Sequence, residues 1–289
     1  MTKLRIALEW FLNPDHLPLL AARQELRADG LDVELIVPDE HYDGFAGLAD
    51  GTVDLVVNEP LHLVERRDLP LKAHGCFFAT EGGVLIMRAA LGRLAQGETV
   101  RIASPVSTAL TDRLCADILA GRLSSMGLQL SPNQVRIEPA GFSHVDNLVD
   151  GYDGAWLAFA NVEGVDARMR GLDVEMVTTA EAGIPNFSAL EIIGPADAAP
   201  ELGEKISRLL TTLDQVIPAL RSDPEAARRL WYEESGEGRS PTTDAIVDDT
   251  LDRLVSPVRP TAARWRPMWR YLHQGGGEVV DEAAFEAMF

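Results

Sequence analysis

The chain has 289 residues, of which 46% are hydrophobic and 25% charged, a composition typical of a globular protein. Its 26 basic and 45 acidic side chains give a formal net charge of −19, which argues against nucleic acid as a partner because phosphates would be repelled. No apolar run reaches the roughly 20 residues of a bilayer-spanning helix, so we expect no direct membrane insertion.

Residues 1–91 alternate between strand and helix patterns, which is typical of a mostly parallel sheet flanked by helices. The main helix is predicted at residues 17–28, and the predicted strands cover residues 3–8, 31–37, 53–57, 71–78 and 83–88.

A second α/β pattern opens near residue 99. It contains helices at 109–126 and 145–149 and strands at 100–103, 135–138, 154–159, 174–178 and 189–193, and the pattern from residue 197 onward is helical. Because those last helices need a sheet to cover, we expect lobe 1 to comprise residues 1–91 and 192–289, with residues 92–191 inserted as lobe 2. The sequence thus predicts an α/β protein of two lobes with a ligand cleft at the hinge.

Candidate ligand-binding residues follow the first and third predicted strands. After residues 3–8, Trp10 offers a flat ring for stacking, and Asn13 and His16 offer hydrogen-bond donors and acceptors. Asn58 and His62 follow residues 53–57 and should converge with them, because parallel strands end at one edge of the sheet. The structural alternatives are a core Trp10, a His16 that caps the next helix, and a buried, satisfied His62.

A third candidate loop enters the predicted helix at 109–126. Free amides and hydroxyls at a helix start bind anions or polar ligand atoms, and this loop supplies Ser104, Ser107 and Thr108. Plain N-capping by Ser107 or Thr108 explains the same residues.

A fourth candidate group lies at the end of the strand predicted at 154–159 and contains Trp156, Asn161 and Glu163. A carboxylate beside aromatic residues can accept hydrogen bonds from an amino group or a protonated ring nitrogen. The alternative for Glu163 is an exposed acid at a helix start, favoured by the helix dipole.

The sequence contains no HExxH, paired CxxC, GxSxG or P-loop motif. Its two cysteines are interpreted as an inert core thiol, Cys115, and a thiol at a strand end that could face the cleft, Cys76. Glu40, His41 and Asp43 could contact a metal, but a solvated loop explains them better. We therefore predict no catalytic residue, metal or cofactor.

Five segments together resemble a known superfamily: residues 8–16, 30–33, 51–55, 153–163 and 184–187. They resemble the type II periplasmic-binding-protein fold, in the branch that holds thiamine-pyrimidine-binding proteins, hydroxymethylpyrimidine synthases and nitrate, sulfonate and taurine receptors. The resemblance to the pyrimidine-binding members implies that Trp10 and Trp156 stack on a ligand ring and that Glu163 accepts from its amino group. Asn186, in the last segment, is counted among the ligand-binding residues.

The synthases of that branch imply a rival function. His62 falls where they have a donor histidine, but Asn58 stands where they have the lysine that holds pyridoxal phosphate, and asparagine cannot form a Schiff base. Their cysteine-rich iron motif has no counterpart, since residues 75–78 contain only Cys76.

Two hypotheses result. The first is a solute-binding protein that closes on a small heteroaromatic ligand, in particular a thiamine-related pyrimidine, with an ABC permease as partner. The second is a cytoplasmic enzyme on the same fold, such as a decarboxylase, a dehydratase or a pyrimidine-pathway synthase. The start of the sequence lacks a signal-peptide pattern, which predicts a cytoplasmic location as written, or a periplasmic one if a leader has been removed.

Overall fold

The computed structural model describes residues 2–38, 44–65 and 69–289. Contacts divide the chain into two compact units. Unit 1 comprises Met1–Ala79 and Ala189–Phe289, and unit 2 comprises Thr80–Ser188.

Strands and helices alternate through much of the chain before a helical C-terminal region. Within the described residues the strands are β1 (Thr2–Leu8), β2 (Leu31–Ile36), β3 (Leu55–Asn58), β4 (Leu71–Ala79), β5 (Gly82–Met87), β6 (Val100–Ser104), β7 (Val135–Pro139), β8 (Gly154–Phe159), β9 (Val174–Thr178) and β10 (Ala189–Pro195). The helices there are α1 (Leu17–Ala28), α2 (Phe45–Asp50), α3 (Pro60–Glu65), α4 (Arg88–Ala95), α5 (Ala109–Ser125), α6 (His144–Val149), α7 (Glu163–Met169), α8 (Pro200–Ser222), α9 (Pro224–Ser235), α10 (Pro241–Arg253), α11 (Ala262–Gln274) and α12 (Glu282–Ala287).

The sheet of unit 1 has the order β2-β1-β3-β10-β4. Strand β1 is parallel to β2 and β3, whereas β10 runs antiparallel to β3 and β4. All four residues of β3 are buried, as expected for a central strand covered on both faces. The parallel register sets Leu8 opposite Val57, so the residues that follow these strands emerge side by side at one edge.

The C-terminal helices cover this first sheet. Helix α8 has a buried stripe that includes Leu209, Leu213 and Ile217, a spacing that places them on one helical face. Helices α8 and α9 pack against α1, and α10 contacts the 3-10 turn Pro14–His16 that precedes α1. No helix among the described residues is long and apolar enough to cross a membrane.

The sheet of unit 2 has the order β7-β6-β8-β5-β9. Strand β6 is parallel to β7 and β8, and β5 is antiparallel to β8 and β9. Helices α6 and α7 cover one part of it, with Val145, Leu148 and Ala167 packed against Leu85 and Ala158. The predicted α/β fold of two sheets with flanking helices is confirmed, although each sheet is mixed rather than mostly parallel.

The sequence pattern and the structure differ on where the chain passes between units. The pattern gives residues 83–88 to lobe 1 and ends lobe 2 at 191, whereas β5 pairs within the second sheet and β10 begins within the first at Ala189. Two consecutive apolar strands, β4 and β5, carry no local signal of which sheet each joins, because both are largely buried and only two residues separate them.

Candidate functional site

A buried cluster of two carboxylates and a histidine lies at the carboxyl ends of β1 and β3. Glu9 and Glu59 are 5% and 4% exposed. Nε2 of His62, on α3, lies 3.2 Å from Oε1 of Glu9, and its Nδ1 lies 3.4 Å from Oε2 of Glu65. The backbone N–H of Glu59 donates to Oε2 of Glu9 at 3.2 Å. One ligand atom from each of Glu9, Glu59 and His62 lies within 4.8 Å of the others.

Burial and mutual charge determine the electrostatics of this cluster. Burial, together with the nearby charge of Glu9, raises the pKa of Glu59 from 4.5 to about 8. Burial alone would lower the pKa of His62, but the carboxylates of Glu9, Glu65 and Glu59 outweigh it and raise that pKa well above 6.5. Of these three residues only His62 is predicted from the sequence, although the shared edge of β1 and β3 places both glutamates beside it.

Asn13 and His16 are committed to local structure. Oδ1 of Asn13 accepts from the backbone N–H of Asp15 at 2.9 Å, and Nδ1 of His16 lies 3.3 Å from the backbone nitrogen of Asn13 in a capping box. Burial lowers the pKa of His16 from 6.5 to about 4, so the ring is neutral at pH 7. Trp10 is 8% exposed and its ring meets that of His16 edge-on, with centroids 6.3 Å apart.

Asn58 and Cys76 flank a second buried carboxyl group, that of Glu191. Both are register partners of Glu191, on β3 and β4 respectively. Trp265 Nε1 donates to Oε1 of Glu191 at 2.6 Å, and Arg264 Nη1 donates to the sulfur of Cys76 at 3.3 Å. Burial raises the pKa of Glu191 to about 8. Asn58 itself accepts from the backbone N–H of Glu59 at 2.8 Å.

In unit 2, the loop before α5 has its hydroxyls engaged in the loop and the helix. Ser104 donates to the carbonyl of Val106 at 2.5 Å, and Ser107 donates to Asp112 at 2.8 Å. Thr108 is the N-cap of α5 and accepts from the backbone N–H of Thr111 at 3.1 Å. Capping therefore accounts for Thr108, whereas Ser104 bonds within the loop and Ser107 bonds to a side chain of α5.

Trp156 and Glu163 share a polar neighbour in His144, which the sequence analysis did not single out. His144 Nε2 lies 3.0 Å from the carbonyl oxygen of Trp156, and its Nδ1 lies 3.9 Å from Oε1 of Glu163. The backbone N–H of Phe159 donates to Oε2 of Glu163 at 2.7 Å. Between these residues, Leu157 has φ +62°, which marks a bulge in β8 where the register with β5 shifts.

The remaining predicted residues are buried or hydrogen-bonded. The Trp156 ring is fully buried and meets Phe187 edge-on at 6.3 Å. Asn161 is also fully buried. Asn186 donates to the carbonyl of Thr80 at 2.6 Å and accepts from the backbone N–H of Ser188 at 3.1 Å, so its amide ties together the two ends of unit 2. Glu40, His41 and Asp43 lie outside the described residues.

Comparison with known families gives a match over most of the chain. The family model described as NMT1/THI5 like matches residues 13–227, well over half of the chain. A search of curated proteins finds no match.

Solved structures share the fold at low sequence identity. The alkanesulfonate-binding protein SsuA from Xanthomonas axonopodis pv. citri, bound to MOPS, is 16% identical with a TM-score of 0.69, and 98% of each chain is covered. A ligand-binding component of an ABC-type import system from Staphylococcus aureus, with zinc bound, is 9% identical with a TM-score of 0.71, covering 99% of this chain and 98% of that one. A Candida albicans protein with the generic periplasmic-binding-protein fold is 15% identical with a TM-score of 0.63, covering 100% and 95%.

Proposed function

This chain belongs to the NMT1/THI5-like family, and from that premise we propose that it is a solute-binding protein that delivers a small ligand to an ABC-type permease. The ligand class we propose is a heteroaromatic amine, in particular a thiamine-related pyrimidine. Trp10 then stacks on the ring, and Glu163 accepts a hydrogen bond from its amino group.

The observation that supports this proposal is the burial and hydrogen bonding of the Glu163 carboxylate. Its side chain is 12% exposed, and Oε2 is fixed by the N–H of Phe159. Oε1 lies 3.9 Å from His144, beyond hydrogen-bond distance, and no group among the described residues donates to it. A nearly buried carboxylate with one oxygen held and the other available can orient an amino group.

The rival hypothesis of an enzyme receives less support from the described residues. Burial raises the pKa of both Cys76 and Cys115, which disfavours the thiolate that nucleophilic catalysis requires. His16 is a buried cap, and Asn58 cannot hold a cofactor aldehyde.

Isothermal titration calorimetry with hydroxymethylpyrimidine and related aminopyrimidines tests the proposal, with an alkanesulfonate as a comparison ligand. We expect Trp10→Ala and Glu163→Gln each to weaken pyrimidine binding by about 1 to 3 kcal/mol. Glu201→Gln is the matched control, because it makes the same change in the first turn of α8 at a side chain that is 77% exposed. It should leave the affinity unchanged.

Two results would contradict the pyrimidine assignment. One is an unchanged pyrimidine affinity in both variants. The other is a wild-type protein that binds the sulfonate and none of the pyrimidines, which would leave a solute-binding protein of different specificity.

A further inference from the structure

We propose that Glu9, Glu59 and His62 form a binding site for one divalent transition-metal ion of the zinc type. The three residues come from the ends of β1 and β3 and from the first turn of α3, all within unit 1. The site requires nothing from the pyrimidine ligand proposed above and goes beyond that function.

The ligand atoms are already near the spacing that such an ion needs. Zinc binds imidazole nitrogen and carboxylate oxygen at about 2.0 to 2.2 Å, which sets neighbouring ligand atoms of a tetrahedron about 3.3 to 3.6 Å apart. His62 Nε2 and Glu9 Oε1 are 3.2 Å apart, and the set with Glu59 closes within 4.8 Å. Three protein ligands leave a fourth position for water or a solute atom.

Outer contacts orient two of the three ligands, His62 and Glu9, in the way that metal sites require. A histidine ligand normally donates its other ring N–H to a carboxylate, and here Nδ1 of His62 faces Glu65 at 3.4 Å. The second oxygen of Glu9 accepts from the backbone N–H of Glu59 at 3.2 Å, which leaves Oε1 directed at His62. These contacts fix which atom of His62 and which oxygen of Glu9 point into the cluster.

The burial of Glu59 supports its role as the third metal ligand. Glu59 is 4% exposed, and among the described residues no hydrogen bond or ion pair reaches its carboxylate. A second buried carboxylate, that of Glu9, lies beside it, and their repulsion is relieved by a shared cation. This distinguishes the cluster from a solvated group of surface acids.

The donor set selects among cations. One imidazole and two carboxylates suit zinc, cobalt or manganese, whereas copper(I) prefers thiolate and thioether ligands. Calcium takes six to eight oxygen ligands, which three side chains do not supply. We therefore expect Zn²⁺ and Co²⁺ to bind and Ca²⁺ to bind far more weakly.

Metal titrations of the full chain test the site without any organic ligand. Zn²⁺ binding is measured by equilibrium dialysis and Co²⁺ binding by its visible absorption after chelator treatment. We expect one equivalent per chain, with Glu59→Gln, Glu9→Gln and His62→Gln each weakening binding on the order of 100-fold or more. Glu65→Gln should weaken it about 10-fold, because it changes only the orienting partner of His62.

Two controls separate the site from surface binding and from misfolding. His273→Gln removes an exposed histidine on α11 and should bind the metal like wild type. Circular dichroism of each metal-free variant checks its fold, and Glu59→Gln changes shape least. The proposal is overturned if wild type shows no saturable binding, or if folded Glu59→Gln and His62→Gln variants bind Co²⁺ as tightly as wild type. Failure here leaves the pyrimidine titration unaffected, since that experiment uses Trp10 and Glu163.

Discussion

The buried carboxyl group of Glu191 should make the protein lose stability as the pH rises from 5 to 8. The side chain is fully buried, and Oε1 accepts from Trp265 while Oε2 has no hydrogen-bond partner among the described residues. Burial raises its pKa from 4.5 to about 8, against the opposing effects of Trp265 and Arg264. The folded protein therefore keeps this proton over a range in which the unfolded chain has lost it.

The magnitude follows from proton linkage. Where the folded state binds more protons than the unfolded state, the free energy of unfolding falls with rising pH. At about 1.4 kcal/mol per pH unit, the interval from 4.5 to about 8 corresponds to about 5 kcal/mol. That contribution is fully present below pH 4.5 and is lost as the pH rises through the folded pKa near 8.

Urea unfolding of wild type and Glu191→Gln, followed by tryptophan fluorescence at pH 5, 6.5 and 8 with a chelator present, measures the effect. The amide keeps the shape and the acceptor for Trp265 but does not titrate. We expect the free energy of unfolding of wild type to fall by several kcal/mol more than that of Glu191→Gln between pH 5 and pH 8. Glu201→Gln should follow the wild-type profile. Parallel profiles for wild type and Glu191→Gln would refute the reasoning.

Two further predictions concern acid stability and packing. Burial lowers the pKa of His16 to about 4, so between pH 6.5 and pH 4 the unfolded chain binds a proton that the folded protein does not. The free energy of unfolding of wild type should therefore fall by about 3 kcal/mol over that range. His16→Gln should reduce this loss in acid unfolding curves. Gly83→Ala should destabilise the protein by about 3 kcal/mol or more in thermal unfolding, because a Cβ there would overlap the carbonyl oxygen of Val177. Gly92→Ala should instead stabilise it by about 0.5 to 1 kcal/mol, because Gly92 is an exposed position of α4 with open space around it. Equal melting temperatures for the two glycine variants would contradict the packing argument.

The sequence predicts the secondary structure well because buried strands and amphipathic helices leave periodic patterns. Helix α1 covers the predicted residues 17–28, and β8 covers the predicted 154–159. The passage between units escapes prediction because β4 and β5 are both apolar. Their sheet partners lie far away in the sequence, about 115 residues for β4 with β10 and about 70 residues for β5 with β8. Strand pairing over such distances is a tertiary property that local pattern does not encode.

How well the sequence predicts a residue of the candidate site depends on how far away in the sequence its hydrogen-bond or ion-pair partner lies. His16 and Thr108 find their partners within three residues, so the sequence predicts the capping alternative for both. The cap formed by Asn13 is equally local but is not predicted. Glu9 and His62 meet across more than fifty residues, and an acid at a strand end has the same local pattern as a solvated one. The parallel register of β1 and β3 is what brings Glu9 and His62 together.

The energetics of burial separate structural from functional polar residues in this chain. A cap such as Thr108 stabilises its helix, so folding alone explains it. A buried set such as Glu9, Glu59 and His62 is different, because removing charged groups from water costs free energy. Proteins with apolar side chains of similar volume in place of a buried ion pair are often as stable or more stable. The cation that we propose for Glu9, Glu59 and His62 gives a reason for placing three ionisable groups at the edge where β1 and β3 end.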